Sequence, residues 1–532
     1  MNRRQKIIIS VTGIFLVLLI LVGLTYAYFL TQIQGNENNT SITVTTANLI
    51  LEYGDGNGIL ETDKLEPSND FISFKDSQGN SVPSKIFTVT NKGNATVEGY
   101  KVYLENVQNQ LERKDDLVYT LSCKSYINYG ETNQAESGTC TGVSNETTFP
   151  SVITSIVSND INVGVTHVYE LKVKYKEMGV DQSVDMNKLV TAKINIYDST
   201  TKFLAREIMD NALSTPATNK TLYIEPSLQD GTTYTIPAHA TTKENERILT
   251  YTMDDYGTSY YYRGNVEDNY VNYAGMCWRI VRIEGDGSVK LLLEDRYEQC
   301  NDKEGQDLNN NGTYFTGNWS GGEDDYYVFG YDNNRADFIN YEGGLADSFK
   351  TFQTSKLTST DIEKLKVDEW CFDHNVTSTN EYCYDWDEDG VDDKCYTDEY
   401  YGAYTRIYTN KKPLLSCSGT KLTEFKDETD MYVGTLTADE MSFAGAYSST
   451  NYNYYLMNKY AKDNILYWWS LSPGYFNGEY GNDSAFLLSF DGYLSGDGSV
   501  SDDSYSRPAV SLKSGSVITE GVGTLENPYV IE

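Results

Sequence analysis

The stretch Phe87-Thr88-Val89-Thr90-Asn91-Lys92-Gly93-Asn94-Ala95-Thr96 reads as a strand, an Asn/Gly turn and the start of a second strand. In a pleated strand alternate side chains point to opposite faces, and β-branched residues bounded by Asn and Gly satisfy that pattern. Working outward, the same rhythm recurs at Ser41 to Leu51, Lys85 to Thr90, Thr96 to Leu104, Leu117 to Ser122, His167 to Tyr175 and Val190 to Tyr197. Short strands at this spacing predict an antiparallel β-sandwich over residues 31–200.

The full chain has 532 residues, too many for one core when domains run to roughly 100–200 residues, so at least two folded domains are expected. With 39% hydrophobic and 13% aromatic residues there is enough apolar material to fold both. The 45 tyrosines fit a β-rich chain, since Tyr fills sheets while exposing a hydroxyl. A minority of them would serve adhesive or carbohydrate-stacking surfaces. The net charge of −35 argues against nucleic acid and anionic lipid as partners, because phosphate neutralisation needs clustered Lys and Arg. The three histidines, His167, His239 and His374, have no metal-ligand or acid/base spacing.

Residues 1–30 decide the compartment. Arg3, Arg4 and Lys6 precede the apolar run Ile7 to Leu24, and Thr25-Tyr26-Ala27 follows as a small-residue cleavage pattern. The layout is that of a signal peptide or a retained membrane anchor, a transmembrane helix if uncleaved, and either places the remainder outside the cytoplasm. The expected location is the extracellular face of the membrane, the cell surface or the medium. The carboxyl end, Asn527-Pro528-Tyr529-Val530-Ile531-Glu532, carries no sorting motif or hydrophobic tail.

Eight cysteines, an even number without a CxxC pair, suit an oxidising exterior. Sequence proximity suggests Cys123 with Cys140, Cys277 with Cys300, Cys371 with Cys417, and Cys383 with Cys395; free thiols are the alternative. Phe203, Leu204, Ile208 and Leu213 lie near helical spacing and predict a short helix over 202–213, within a linker and lead-in spanning 201–245. Residues 246–532 form a second β-rich domain, with a Cys/Asp-rich insertion at about 300–430.

The first half, with Thr25-Tyr26-Ala27-Tyr28-Phe29 ahead of its strands, loosely resembles immunoglobulin-like surface modules and camelysin/TasA-like secreted fibre proteins. That resemblance implies cleavage near Ala27 and an assembling or surface-displayed sandwich. The peptidase label sometimes attached to camelysin finds no HExxH here. The second half carries Tyr261-Tyr262-Arg263-Gly264-Asn265-Val266, Cys277-Trp278-Arg279-Ile280-Val281-Arg282-Ile283, Leu436-Thr437-Ala438-Asp439-Glu440, Tyr467-Trp468-Trp469-Ser470-Leu471-Ser472-Pro473 and Ser506-Arg507-Pro508-Ala509-Val510-Ser511-Leu512. These resemble uncharacterised Gram-positive surface domains with a C-type-lectin-like or sulfatase-modifying-factor-like core. The resemblance implies a mixed α+β scaffold under long loops; no cysteine follows Cys417, so sulfatase-modifying catalysis is not implied. Physically, Trp278, Trp468 and Trp469 are core candidates, Arg507 is placed to satisfy buried carbonyls, and Asp286-Gly287 and Asp491-Gly492 are hairpin turns.

The best local motif for chemistry is Asp385-Trp386-Asp387-Glu388-Asp389-Gly390-Val391-Asp392-Asp393. Alternating carboxylates converge on calcium and Gly390 permits the sharp turn, so Asp385, Asp387, Asp389, Asp392 and Asp393 are candidate ligands. Position twelve is Tyr396, not Glu, and the loop is more similar to those of thrombospondin-type repeats. Asp307, Asn309 and Asn311, ahead of Gly312, form a weaker second loop. Ser418-Gly419-Thr420-Lys421 matches SxxK without companion motifs, and no GxSxG, GxxxxGK[ST] or HExxH occurs. Asp439-Glu440 would serve glycoside hydrolysis only if set in a cleft. The sequence therefore points to a non-enzymatic surface binding or adhesion protein for an extracellular glycan or protein, with calcium stiffening one loop. A self-associating structural or fibre component is the second reading, and a glycan-processing enzyme the third.

Overall fold

The computed structural model describes most of residues 49–214, 247–294, 344–386, 394–447 and 467–531, with the shorter stretches 30–34, 41–44, 327–328 and 454–457 and Cys300. Strand exceeds helix by 49% to 13%, so the chain is mainly β, as its patterning predicted. It divides into two compact units, Met1–Thr201 and Lys202–Glu532. Among the described residues no helix is long and apolar enough to cross a membrane; of the expected signal or anchor segment, residues 1–30, all but Leu30, which begins a strand, lie outside them.

The first unit contains two seven-stranded sheets. One runs Thr154–Ile161, Val97–Asn109, Leu189–Tyr197, Leu30–Gln34, Leu60–Thr62, Phe74–Lys75 and Ser81–Val82. The other runs Ala135–Glu136, Leu117–Ile127, Val165–Tyr175, Lys85–Asn91, Leu49–Gly54 and Ser41–Val44, with Val143–Thr148 also on Leu117–Ile127. Burial in Lys85–Asn91, Val165–Tyr175 and Leu189–Tyr197 alternates at period two. The inward side chains of both sheets, among them Tyr53, Phe87, Tyr100, Leu104, Leu171 and Ile194, merge into one apolar core.

Two sequence readings change in detail. The run expected over Ser41 to Leu51 is two strands folded back on each other, Ser41–Val44 and Leu49–Gly54. The strands flanking the Asn91 turn belong to different sheets, so the turn crosses the core instead of closing a hairpin. Asn91 makes that crossing: its carboxamide donates to Ala95 O and Ile161 O and accepts from Gly93 N. An Asn side chain that bonds its own backbone two residues on closes the turn without a partner strand.

His167 is buried at the centre of this unit, with Nδ1 2.7 Å from the Tyr100 hydroxyl. Tyr100 also meets the Tyr169 hydroxyl, which accepts from Asn159 Nδ2. Burial pushes the His167 pKa down to about 4, because the charged imidazolium would lose its hydration. The unfolded chain then binds the proton more readily than the folded one. Stability from this group is complete above pH 6.5 and is lost as the pH falls toward 4. In urea titrations across that window, His167→Gln should flatten the acid-side decline of the first unit's midpoint; an unchanged slope would remove His167 as its cause.

The second unit is built on a ten-stranded sheet. Its centre is Met276–Ile283, buried along its whole length, between Tyr270–Tyr273 and Val289–Leu293, with Thr258–Gly264 also pairing to it. Asp286-Gly287 closes the hairpin to Val289–Leu293, Gly287 adopting a φ of +83° that favours glycine. A five-stranded sheet runs Val376–Tyr384, Lys394–Tyr401, Tyr467–Asn477, Asn482–Ser489 and Leu494–Ser499. Asp491-Gly492 closes its last hairpin.

The expected short helix is Leu204–Ser214, and it opens the second unit. Lys202–Phe203 pairs with Val517–Glu520, and Phe203, Leu204, Ile208 and Met209 are buried. Trp278, Trp468 and Trp469 are fully buried. Arg507 Nε donates to Leu293 O at 2.8 Å and Nη1 to Leu456 O at 3.3 Å, which meets carbonyls that would otherwise be desolvated without a donor.

The disulfides are Cys123–Cys140, Cys277–Cys300, Cys371–Cys417 and Cys383–Cys395, the pairs that sequence proximity suggested. Four such bonds suit an extracellular or secreted protein, since cytosolic thiols are kept reduced.

Candidate functional site

The second unit holds two arrangements that its packing alone does not account for. The first is a charged cleft. Arg279 and Arg282 interrupt an otherwise apolar strand, and a charge in such a position must be paired. Arg282 donates through Nη1 to Asp254 at 2.7 Å, through Nη2 to Glu284 at 2.7 Å and through Nε to Glu440 at 2.9 Å. Lys290, on the neighbouring strand, lies 3.1 Å from Glu440 and 3.2 Å from Asp368, with its ammonium over the Trp370 ring. Lys366 lies 2.7 Å from Glu284 and 3.5 Å from Asp368.

Across the cleft Arg406, in the helical turn Thr405–Asn410, forks onto Asp439 at 2.8 and 3.0 Å and also donates to Asp373. Asp439 and Glu440 are positioned by the helix Ala438–Ala444, whose start is a capping box formed by Thr437 and Glu440. The Cys371–Cys417 disulfide holds residues 414–417 to the wall, where the Leu414 amide donates to Asp439.

Electrostatics set the protonation of these groups. Burial pushes the Glu440 carboxyl up, but Lys290 and Arg282 outweigh it and hold it below the ordinary carboxylate range. Glu284 is held low in the same way, against its burial, by Lys366, Arg282 and Lys290. Asp254 goes the other way, because its burial exceeds the pull of Arg282. The sequence pair Asp439-Glu440 does lie in a cleft. Each carboxylate is engaged by cations, however, which makes a poor general acid of the low-lying Glu440.

The second arrangement is an aromatic strip on the hairpin Val376–Tyr384/Lys394–Tyr401, which is solvent-accessible along nearly its whole outer strand. Cys383 faces Cys395 across it and is bonded to it. Tyr382 stacks on Tyr396 with centroids 5.8 Å apart, and Tyr384 stacks on Trp386 at 6.2 Å. Trp386 is 65% exposed and nearby Tyr480 is 75% exposed, unusual for such large apolar rings. Nearer the base a further set of ring contacts joins half-buried Tyr400, Tyr404, Tyr475 and Tyr408 with Phe486. Carboxylates border the strip: Asp398 accepts from Tyr382 and Glu479 from Tyr384.

Of the calcium candidates, Asp385 is described and half-buried at the tip of this hairpin. Asp387, Asp389, Asp392 and Asp393, and likewise Asp307, Asn309 and Asn311, lie outside the described residues. Among the described residues, two groups of three potential metal ligands converge, Cys123/Cys140/His167 and Glu381/Cys383/Cys395. Both contain disulfide-bonded cysteines, which offer no thiolate. The SxxK match is taken up by the cleft wall: Ser418 donates to Asp373, and Lys421 pairs with Asp255 and Glu369.

Asp254, Arg282, Asp368, Asp373 and Arg406 were not singled out by sequence reasoning. The available signal was the two arginines inside the apolar run Met276–Ile283. No known protein-family model matches the chain, and no curated protein matches it.

Proposed function

We propose that this is an exported binding protein of a Gram-positive-type cell surface, held at or released from the outer face of the membrane. In this reading an immunoglobulin-like first unit, similar to camelysin/TasA-like sandwiches, presents a C-type-lectin-like second unit that binds extracellular glycan without catalysis. The supporting observation is the aromatic cluster at the hairpin tip, with Trp386 and Tyr384 exposed and stacked on each other and Tyr382 stacked on Tyr396. Flat rings present apolar faces to the C–H faces of sugars, while Asp398, Glu479 and Glu381 offer acceptors for hydroxyls. A protein-binding surface centred on apolar anchors and arginine fits less well, since the outer strand, Val-Thr-Ser-Thr-Asn-Glu-Tyr-Cys-Tyr, has one aliphatic side chain.

Self-association through the first unit is the weaker reading. Its long edge strand Thr154–Ile161 carries two register breaks, at Ser155/Val157 and Asn159/Ile161, and such irregularities blunt an edge against pairing with another chain.

Calcium enters as a stiffener of the loop pinned by Cys383 and Cys395. The test is glycan-array binding by the full exported chain and by Trp386→Ala, each with millimolar calcium or chelator. Array binding is expected in wild type, with at least about a tenfold loss in Trp386→Ala and weakening by chelator. Array-negative wild-type protein ends the glycan reading; binding and melting temperature both indifferent to chelator end the calcium part.

A further inference from the structure

The outer strand of the disulfide-bonded hairpin adds nothing to the core, since no residue of Val376–Tyr384 is buried. It ends the five-stranded sheet and pairs only with Lys394–Tyr401, in a register unbroken from Ser378 opposite Tyr400 to Tyr384 opposite Lys394. In such a strand alternate residues turn their N–H and C=O groups away from the partner, which leaves a row of donors and acceptors along the edge. Among the described residues no backbone hydrogen bond from another element reaches residues 378–384.

Native edges are commonly blunted by bulges, short length, lysine or proline. Other edges of this chain show such devices. Thr154–Ile161 and Val143–Thr148 carry register breaks, Ser81–Val82, Lys202–Phe203 and Val433–Gly434 are two residues long, and Arg247–Met253 is partly buried and opens on an arginine. Beyond the break between Val376 and Ser378, the outer strand has none of them: its nine residues include no Lys and no Pro. The Cys383–Cys395 bond fixes it to its neighbour. A covalent staple on a strand that buries nothing preorganises the edge it presents.

We infer that this edge takes up an extended, basic peptide segment of another protein as an added strand. In this mode main-chain hydrogen bonds supply the affinity, so apolar anchors are not required. Charge selects the segment. Glu381 faces Thr397 and Glu399 faces Thr379, which puts both carboxylates on one face of the hairpin. Asp398, opposite Asn380, lies on the other face, where Glu479 accepts from Tyr384. Among the hairpin's described residues Lys394 is the one cation, and it sits at the tip over the Tyr396 ring. Lys side chains on an added strand would meet a carboxylate on either face. A second copy fits less well, because it would bring its own Glu381 to the edge and the chain carries a net charge of −35.

The experiment uses the full exported chain and a fluorophore-labelled, acetylated and amidated peptide, Thr-Lys-Val-Lys-Val-Lys-Thr, read by anisotropy at physiological ionic strength. Two control peptides separate the causes. One replaces each Lys with Glu; the other keeps the sequence but is N-methylated along its backbone, which preserves the charge and removes the strand-pairing donors. Saturable binding is expected for the basic peptide, at least about tenfold tighter than for either control. Glu381→Lys, at an exposed position, should weaken it at least about tenfold, with near-UV circular dichroism establishing that the variant is folded. No binding in wild type, equal binding of either control, or undiminished binding in folded Glu381→Lys would overturn the assignment. So would a sedimenting dimer that Glu381→Lys abolishes, which would give the edge to a second copy.

Discussion

Arg282→Leu is expected to destabilise the second unit by about 3–5 kcal/mol, the range for leaving buried charge without its partner. Arg282 is buried and makes ion pairs with Asp254, Glu284 and Glu440. Leucine would fill part of the space but leave Glu284 and Glu440 to Lys290 and Lys366 and take from Asp254 the guanidinium it pairs with. The exposed contrast is Lys421→Leu: its pairs with Asp255 and Glu369 are water-accessible and worth about 0–1 kcal/mol.

The pH dependence separates this account from a simple packing defect. In wild type, Glu284 and Glu440 have depressed folded pKa values, so their stabilisation is present above the ordinary carboxylate range and is lost as the pH falls through the folded values. In Arg282→Leu the deserted carboxylates would instead take up protons more readily when folded. The deficit relative to wild type should therefore shrink from pH 7 to pH 5. Chemical denaturation at both pH values measures it; a deficit under about 1 kcal/mol, or one independent of pH, would show that the cleft charges are not coupled as drawn.

Trp468→Ala is expected to cost about 3–5 kcal/mol, whereas Trp386→Ala should stay within about 0.5 kcal/mol. The two residues are chemically identical and differ in burial. Trp468 is 0% exposed, on a central strand of the five-stranded sheet with the Arg507 guanidinium 5.4 Å from its ring. Truncating it opens a cavity in that sheet's packing and strips the ring face from a buried cation. Trp386 packs against Tyr384 at the hairpin tip and stands 65% in solvent. Equilibrium unfolding of both variants gives the comparison. A Trp386 variant as destabilised as the Trp468 variant would mean that the exposed ring has a structural duty and would remove the main support for ligand stacking.

Much of this protein is written locally. The turns at Asp286-Gly287 and Asp491-Gly492, the alternation in Lys85–Asn91 and Val165–Tyr175, and the helix Leu204–Ser214 each depend on residues a few positions apart. The buried state of Trp278, Trp468 and Trp469 was legible because large rings inside apolar runs have few other places to go. The pairing of Cys383 with Cys395 was legible because the intervening segment is short.

The partners of Asn91's neighbouring strands were not legible, since a tight turn between two strands is equally compatible with a hairpin and with a crossing between sheets. The cleft was hidden more deeply. Asp254, Arg282, Asp368, Arg406 and Asp439 come from distant parts of the chain, and in so acidic a sequence no single carboxylate stands out. Short-range patterning governs backbone conformation and which residues avoid water. The burial of a charge, and hence what it pairs with and what it can bind, is settled only when remote segments exclude solvent around it together.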